Sequence, residues 1–233
     1  MIRPLDVATS VLTTVWRLGS GARVGTLGKR PAQRLELYEF EACPFCRKVR
    51  EALSILDLEA MIYPCPKGGP TWRPQVRKLG GKELFPYLVD PNVGRAMYES
   101  DDIVAHLFEQ YGDGNVPFAL GAGPLTDASS MLSGLPRLGG GSRYRPARQP
   151  GRPLELYSFE ASPFSRIARE ALSQLELPYL LHNVASGSAG RDAFVERSGR
   201  MMVPWLADPN TGTELFESAD IVAYLEETYA LPG

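Results

Sequence analysis

The sequence predicts an α/β chain in which one βαβαββα unit is used twice, each copy a mixed four-stranded sheet flanked by helices. Three observations carry that expectation. LELYEFEACPFCRKVREALSILDLEA, beginning at Leu35, lines up with LELYSFEASPFSRIAREALSQLELPY, beginning at Leu154. Phe85-Pro86-Tyr87-Leu88-Val89-Asp90-Pro91-Asn92 lines up with Val203-Pro204-Trp205-Leu206-Ala207-Asp208-Pro209-Asn210. Glu99-Ser100, with Asp102-Ile103-Val104-Ala105 behind it, returns as Glu217-Ser218 with Asp220-Ile221-Val222-Ala223. Strand, turn and helix signals recur in one order, which marks a duplicated folding unit.

Taken in order, residues 5–16 suit a short helix with Leu5, Ala8, Leu12 and Val15 on one side, and RLGSGAR at 17–23 is a glycine-rich connector. Residues 35–40 alternate and are rich in strand formers. A helix opens at Pro44, where a missing N–H costs nothing, and Val49, Ala52, Leu53 and Leu56 keep core-facing spacing. A second strand over 60–63 ends in the turn Pro64-Cys65-Pro66-Lys67-Gly68-Gly69, and a helix over 71–79 stops at Gly80-Gly81. Residues 84–89 read as a strand entered through Pro86, and Arg95 to Tyr98 as its hairpin partner. Ser100 is expected to cap a last helix over 101–111, whose acidic first turn suits the helix dipole. RLGGGSR at 137–143 echoes the first connector, so the repeated unit includes a lead-in. The division expected is 1–33 helical lead-in, 34–111 first domain, 112–152 linker and second lead-in, and 153–233 second domain. Gly139 to Gly141 and the basic run at 143–152 suggest a mobile part of that linker.

Composition narrows the function. The 233 residues are 44% hydrophobic, enough for a core, and a net charge of −2 gives no reason to expect nucleic-acid binding. No apolar run reaches the roughly 20 residues of a spanning helix, so no membrane span is expected. Three cysteines, two of them in one motif, point to a reducing compartment. The expectation is a cytoplasmic protein, with an organelle left open.

Cys43-Pro44-Phe45-Cys46 sits where a strand meets a helix, the arrangement of an intracellular redox pair. The second copy has Ser162-Pro163-Phe164-Ser165 instead. With the proline before the third strand and Glu-Ser before the last helix, the chain resembles tandem N-terminal, thioredoxin-like domains of glutathione transferases. The first copy is also similar to glutaredoxins and to cysteine-bearing omega-like transferases. The resemblance implies a Cys43 thiolate favoured by the helix N-terminus, with help from Arg47 and Lys48. It implies cis bonds at Phe85-Pro86 and Val203-Pro204, with the backbone of Phe85 facing the cysteine of glutathione. Glu99 would take the ammonium of the γ-glutamyl end, and Ser100, with the helix N–H groups, its carboxylate. A second glutathione site would comprise Ser162, Val203, Pro204, Glu217 and Ser218.

Three departures temper this. Neither repeat is followed by enough chain for the family's all-helical domain. Ser162 and Ser165 cannot exchange disulfides. Cys65 has Val184 as its counterpart. Parallel neighbouring strands would put Cys65 at the same sheet edge as Cys43, as a third thiol resolving a mixed disulfide or, with the other two, ligating a metal or iron–sulfur centre. His106 reads as a helix-face residue, His182 as solvated, and Arg73, Arg77 and Lys78 as a solvated face. The leading function is a glutathione-linked thiol–disulfide oxidoreductase. Cys43 would attack a disulfide or glutathionylated client, and Cys46 or glutathione would release it. The alternatives are a scaffold binding glutathione, a metal or iron–sulfur cluster, or a protein without turnover, and a glutathione transferase acting on a small electrophile.

Overall fold

The computed structural model describes residues 9–10, 20–121 and 139–232. Thr9 and Ser10 are helical; the rest of the helix expected at 5–16 lies outside the described residues, as does the start of the second lead-in. The first repeat runs β1 (Leu35–Glu39), α1 (Pro44–Ile55), β2 (Ala60–Pro64), α2 (Trp72–Gly80), β3 (Tyr87–Asp90), β4 (Arg95–Met97) and α3 (Ser100–Tyr111). A one-turn α4 (Phe118–Gly121) follows. The second repeat runs β5 (Leu154–Ser158), α5 (Pro163–Gln174), β6 (Tyr179–Asn183), α6 (Arg191–Ser198), β7 (Trp205–Asp208), β8 (Thr213–Phe216) and α7 (Ser218–Tyr229).

Within each repeat the first two strands are parallel, and a hairpin pairs antiparallel with the first strand. β2 and β6 then pair antiparallel, Ala60 with Leu181, Met61 with Leu180 and Ile62 with Tyr179. One eight-stranded sheet results, in the order β4-β3-β1-β2-β6-β5-β7-β8, which reads the same from either end once the repeats are equated. Each repeat thus covers the strand edge the other would leave open. On one face α1 packs on α3 and α5 on α7, over an aliphatic core that includes Leu37, Leu53, Leu107, Leu156, Leu172 and Leu225. On the other face Val76 of α2 packs with Tyr38, Cys65 and Tyr87, and Phe194 of α6 with Val184, Trp205 and Ala207.

Two local expectations are corrected. The strand expected from residue 84 begins at Tyr87, because Pro86 has no N–H for a ladder. Ser100 does not cap α3 but is its first residue. Glu99 is the cap, at φ 64 and without a side-chain cap bond, and Glu217 repeats this at φ 61. The Asp-Pro-Asn turns have a further role. Asp90 accepts hydrogen bonds from Asn92, Tyr111 and His106, and Asp208 from Asn210, Tyr224 and Tyr229. His106, read as a helix-face residue, is therefore a buried partner of Asp90 at 2.8 Å.

The lead-ins cross between repeats. Val24 N–H donates to Ser186 O and Ser186 N–H to Ala22 O, both at 2.9 Å. Lys67 N–H donates to Ser142 O at 2.7 Å, and Tyr144 N–H to Lys67 O at 3.0 Å. The glycine run expected to be mobile is packed. Gly141, at φ +78, leaves only 3.0 Å between an added Cβ and the Cβ of Glu41, so a larger residue would press on the thiol turn.

Candidate thiol site

Glu39 ends β1, Pro44 opens α1, and Cys43 between them is the N-cap, which places its sulfur at the unpaired amides of the helix. Cys46 N–H donates to Cys43 Sγ at 3.2 Å. Burial alone would raise the Cys43 thiol. The hydrogen bonds from the Cys46 thiol and backbone outweigh it, and Cys43 is held below its ordinary value. Burial and the hydrogen bond with Cys43 push Cys46 well up. Cys43 is 4% exposed and Cys46 fully buried, and all three cysteines are free thiols.

The cation that favours the thiolate is Arg50, one helical turn beyond Cys46. Arg47 instead pairs with Glu51 at 3.1 Å, and Lys48 pairs with Asp101. Both were expected to assist the thiol; each has a carboxylate on hand. In the second copy Ser162 caps α5 in the same pose, accepting from Ser165 N–H at 3.2 Å and Ser165 Oγ at 2.8 Å.

Phe85-Pro86 and Val203-Pro204 are both cis. Cys43 Sγ lies 3.9 Å from Phe85 O. Arg73 is not a free solvated side chain. Its Nε donates to Pro66 O at 2.7 Å, and its guanidinium lies 4.7 Å from the centre of the Phe85 ring and 5.9 Å from that of Phe40. Arg77 pairs with Glu83 on the surface. Glu99 is exposed and Ser100 buried, and Glu217 and Ser218 repeat that pair. His182 pairs with Glu59 at 2.6 Å and stacks on Tyr157.

Cys65 is fully buried among Tyr38, Val76 and Tyr87, and its thiol donates to Tyr63 O at 3.3 Å. Burial, then Glu176 and Glu39, push it well above its ordinary value. Among the described residues no three His, Cys, Asp or Glu side chains converge as a metal site. The three thiols therefore do not form the ligand set considered for a metal or iron–sulfur centre, which asks for four ligands at one point.

The sequence reading missed the charged cluster beside the thiol turn. Arg169 Nε bonds Glu41 Oε2 at 2.9 Å, and its Nη2 bonds Glu160 Oε2 at 2.8 Å. Arg50 Nε bonds Glu160 Oε2 at 3.0 Å, its Nη2 lies 3.3 Å from Glu41 Oε2, and its Nη1 pairs with Glu39. All five side chains are at most 3% exposed. Glu160, despite full burial, is lowered to about 2 by Arg169, Arg50, Arg166 and Arg47. Arg166, with no hydrogen-bond partner for either Nη among the described residues, is lowered to about 10 by burial and by Arg47. A signal existed in the chain: Arg50-Glu51-Ala52-Leu53-Ser54 recurs unchanged as Arg169-Glu170-Ala171-Leu172-Ser173, with charges kept in the middle of an otherwise buried helix face.

Comparison with known proteins adds three findings. Residues 37–115 and 156–233 both match the family model described as the glutathione S-transferase N-terminal domain. The glutathione S-transferase-like protein OpS6 of Beauveria bassiana (strain ARSEF 2860) is 30% identical over 82 residues, 35% of this chain and 38% of that protein. The chain thus spans well under half of that curated relative. The structure titled Leishmania TDR1, a unique trimeric glutathione transferase, is 16% identical with a TM-score of 0.32, over 87% of this chain and 68% of that one.

Proposed function

The chain belongs to the glutathione S-transferase N-terminal domain family, twice over, and on that premise we propose that its first repeat is a glutathione-linked thiol–disulfide oxidoreductase with Cys43 as nucleophile. The observation that carries this reading is a Cys43 sulfur that is hydrogen-bonded at a helix mouth and held below its ordinary pKa. The family implies glutathione binding. Phe85 and Pro86 would align the tripeptide, and Glu99 and Ser100 would take its γ-glutamyl end.

The reaction balances without another reagent. The Cys43 thiolate attacks the glutathione sulfur of a glutathionylated client. A Cys43–glutathione disulfide forms, and the client leaves as thiolate and takes a proton from water. A second glutathione thiolate then attacks the glutathione sulfur held on Cys43, releasing oxidised glutathione and the Cys43 thiolate. Cys46, deeply buried and pushed up, is a poor competitor for that second attack. The one-thiol route is therefore the main one. Residues 34–111 and 153–233 are the working units of this proposal, with 1–33 and 112–152 as lead-in and linker. The second unit keeps the Val203-Pro204 pair and the Glu217-Ser218 turn, which supports a second, non-exchanging glutathione site with Ser162.

The test is glutathione-dependent reduction of a glutathionylated peptide. Cys43→Ser should abolish it and Cys46→Ser should retain most of it. Turnover by the Cys43→Ser protein at the wild-type rate would end the proposal.

A further inference from the structure

The second repeat has serines where the first has its thiols, yet it keeps an arginine and a serine against Glu41, at the start of the first repeat's thiol turn. We propose that this repeat is the positioning partner of the Cys43 turn, acting through Arg169 and Ser173 on Glu41. The inference rests on Cys43 being the working thiol.

The contacts are crossed. Glu41 begins the turn two residues before Cys43. Its carboxylate is held in two places by Arg169, through Nε at 2.9 Å and Nη2 at 3.2 Å. Its backbone N–H donates to Ser173 Oγ at 3.3 Å, and that hydroxyl donates to Gly141 O at 2.7 Å. So helix α5 of the second repeat grips both ends of the residue that launches the thiol turn. The mirror contacts exist. Glu160 begins the serine turn, bonds Arg50 at 3.0 Å, and donates its N–H to Ser54 Oγ at 3.0 Å. Each turn is thus fixed by the partner repeat's helix as well as by its own.

A thiolate held by a helix amide depends on that amide staying in line. Small displacements of a fixed dipole are costly where water cannot compensate. The groups facing the turn are few and can be named. Glu39 comes from β1, Arg50 and Cys46 from α1, and Arg166 and Arg169 from α5. Glu160 comes from the second turn and Tyr179 from β6. Four of these seven, Arg166, Arg169, Glu160 and Tyr179, belong to the repeat without thiols. This gives the degenerate copy a reason to keep Arg169 and Ser173 while its own cysteine positions carry serine.

The experiment follows iodoacetamide labelling of Cys43 in the reduced full-length chain, by peptide mass, from pH 5 to 9. The wild-type midpoint tests the thiolate reading by itself, since an ordinary midpoint near 9 would count against Cys43 as nucleophile. The differences between variants test this inference. Arg169→Met should raise the midpoint and slow labelling at pH 7 about tenfold. Arg169→Lys should recover part of the rate, and Ser173→Ala should move it the same way by a smaller factor. Tyr229→Phe weakens a distant buried bond to Asp208 and should lower the melting temperature with no change in the Cys43 profile. Should Arg169→Met fail to fold, Arg169→Lys and Ser173→Ala decide. Folded variants that label Cys43 as the wild type does, at every pH, would overturn the proposal.

Discussion

Glu39→Gln should remove a pH dependence of stability that the charged cluster imposes. Glu39 rises from an ordinary 4.5 to about 7, chiefly because it is buried and because Glu41 and Glu160 lie nearby, against the pull of Arg50 and Arg169. A carboxyl with a raised folded value keeps its proton in the native protein while the unfolded chain has released it. Between pH 4.5 and about 7 the native state therefore binds more protons, and stability falls as pH rises through that window. The shift is worth on the order of 3 kcal/mol, all of it lost by pH 8. The assay is the urea unfolding midpoint of both proteins at pH 5, 6, 7 and 8. Glu160 is silent there: its folded value is lowered to about 2, so its contribution is complete above 4.5 and is lost only as pH falls toward 2. The Cys43 contribution does not cancel but acts in the same direction: with the Glu39 charge gone the thiol is lowered further, which adds to the variant's gain as pH rises. The variant should gain stability relative to wild type as pH rises from 5 to 8, by about 3 kcal/mol. Because Glu39 opposes the thiolate, Cys43 in the variant should also label faster at pH 7. Parallel stability curves for the two proteins would refute the reasoning.

Three other outcomes are expected. Glu160→Gln removes the anion shared by Arg50 and Arg169 and should destabilise by about 3 to 5 kcal/mol, read from urea unfolding at pH 7, since it leaves buried cations under-compensated. Cys46→Ala should slow iodoacetamide labelling of Cys43 more than Cys46→Ser does, because it removes a side-chain donor to the thiolate that serine replaces. Arg73→Ala strips the guanidinium from the Phe85 and Phe40 rings and should raise the glutathione KM several-fold with little effect on kcat, as measured by initial rates.

What the sequence disclosed was whatever local chemistry repeats. Strand alternation, proline at the first helical position, and the paired Glu-Ser and Asp-Pro-Asn turns placed nearly every element within a few residues. The position of the thiol turn was legible because Pro44 suits the first position of a helix directly behind the strand that ends at Glu39. What was hidden depended on contacts between repeats. Nothing in the local pattern says that Arg50 points at Glu160 while Arg47, on the same helix, answers Glu51. A buried charge reads in sequence as a surface charge, so Arg50, Arg169, Glu41 and Glu160 were passed over. The surroundings of Cys65 were hidden for a related reason. Its strand end was located correctly, but its side chain turns under α2 into an aromatic cluster.

The near-symmetry of the two halves allows one more prediction about why both are kept. A fragment of residues 34–111 would expose the β2 edge at Ala60 to Ile62 and the charges of Glu41 and Arg50, all now covered by the second repeat. Its simplest remedy is a homodimer through β2, because the same residues recur across the interface. Arg50, Glu41 and Ser54 of one copy could stand in for Arg169, Glu160 and Ser173. One substitution spoils the fit. Glu39 has Ser158 as its counterpart, so the homodimer would bury two such carboxylates where the intact chain buries one. The fragment should therefore dimerise weakly, and Glu39→Ser should tighten the dimer about tenfold or more, as judged by sedimentation at pH 8. The gain should shrink at pH 5, where Glu39 is protonated and neutral. A fragment that stays monomeric and folded with β2 bare, or one indifferent to Glu39→Ser at both pH values, would show that the second repeat is not needed to neutralise that edge.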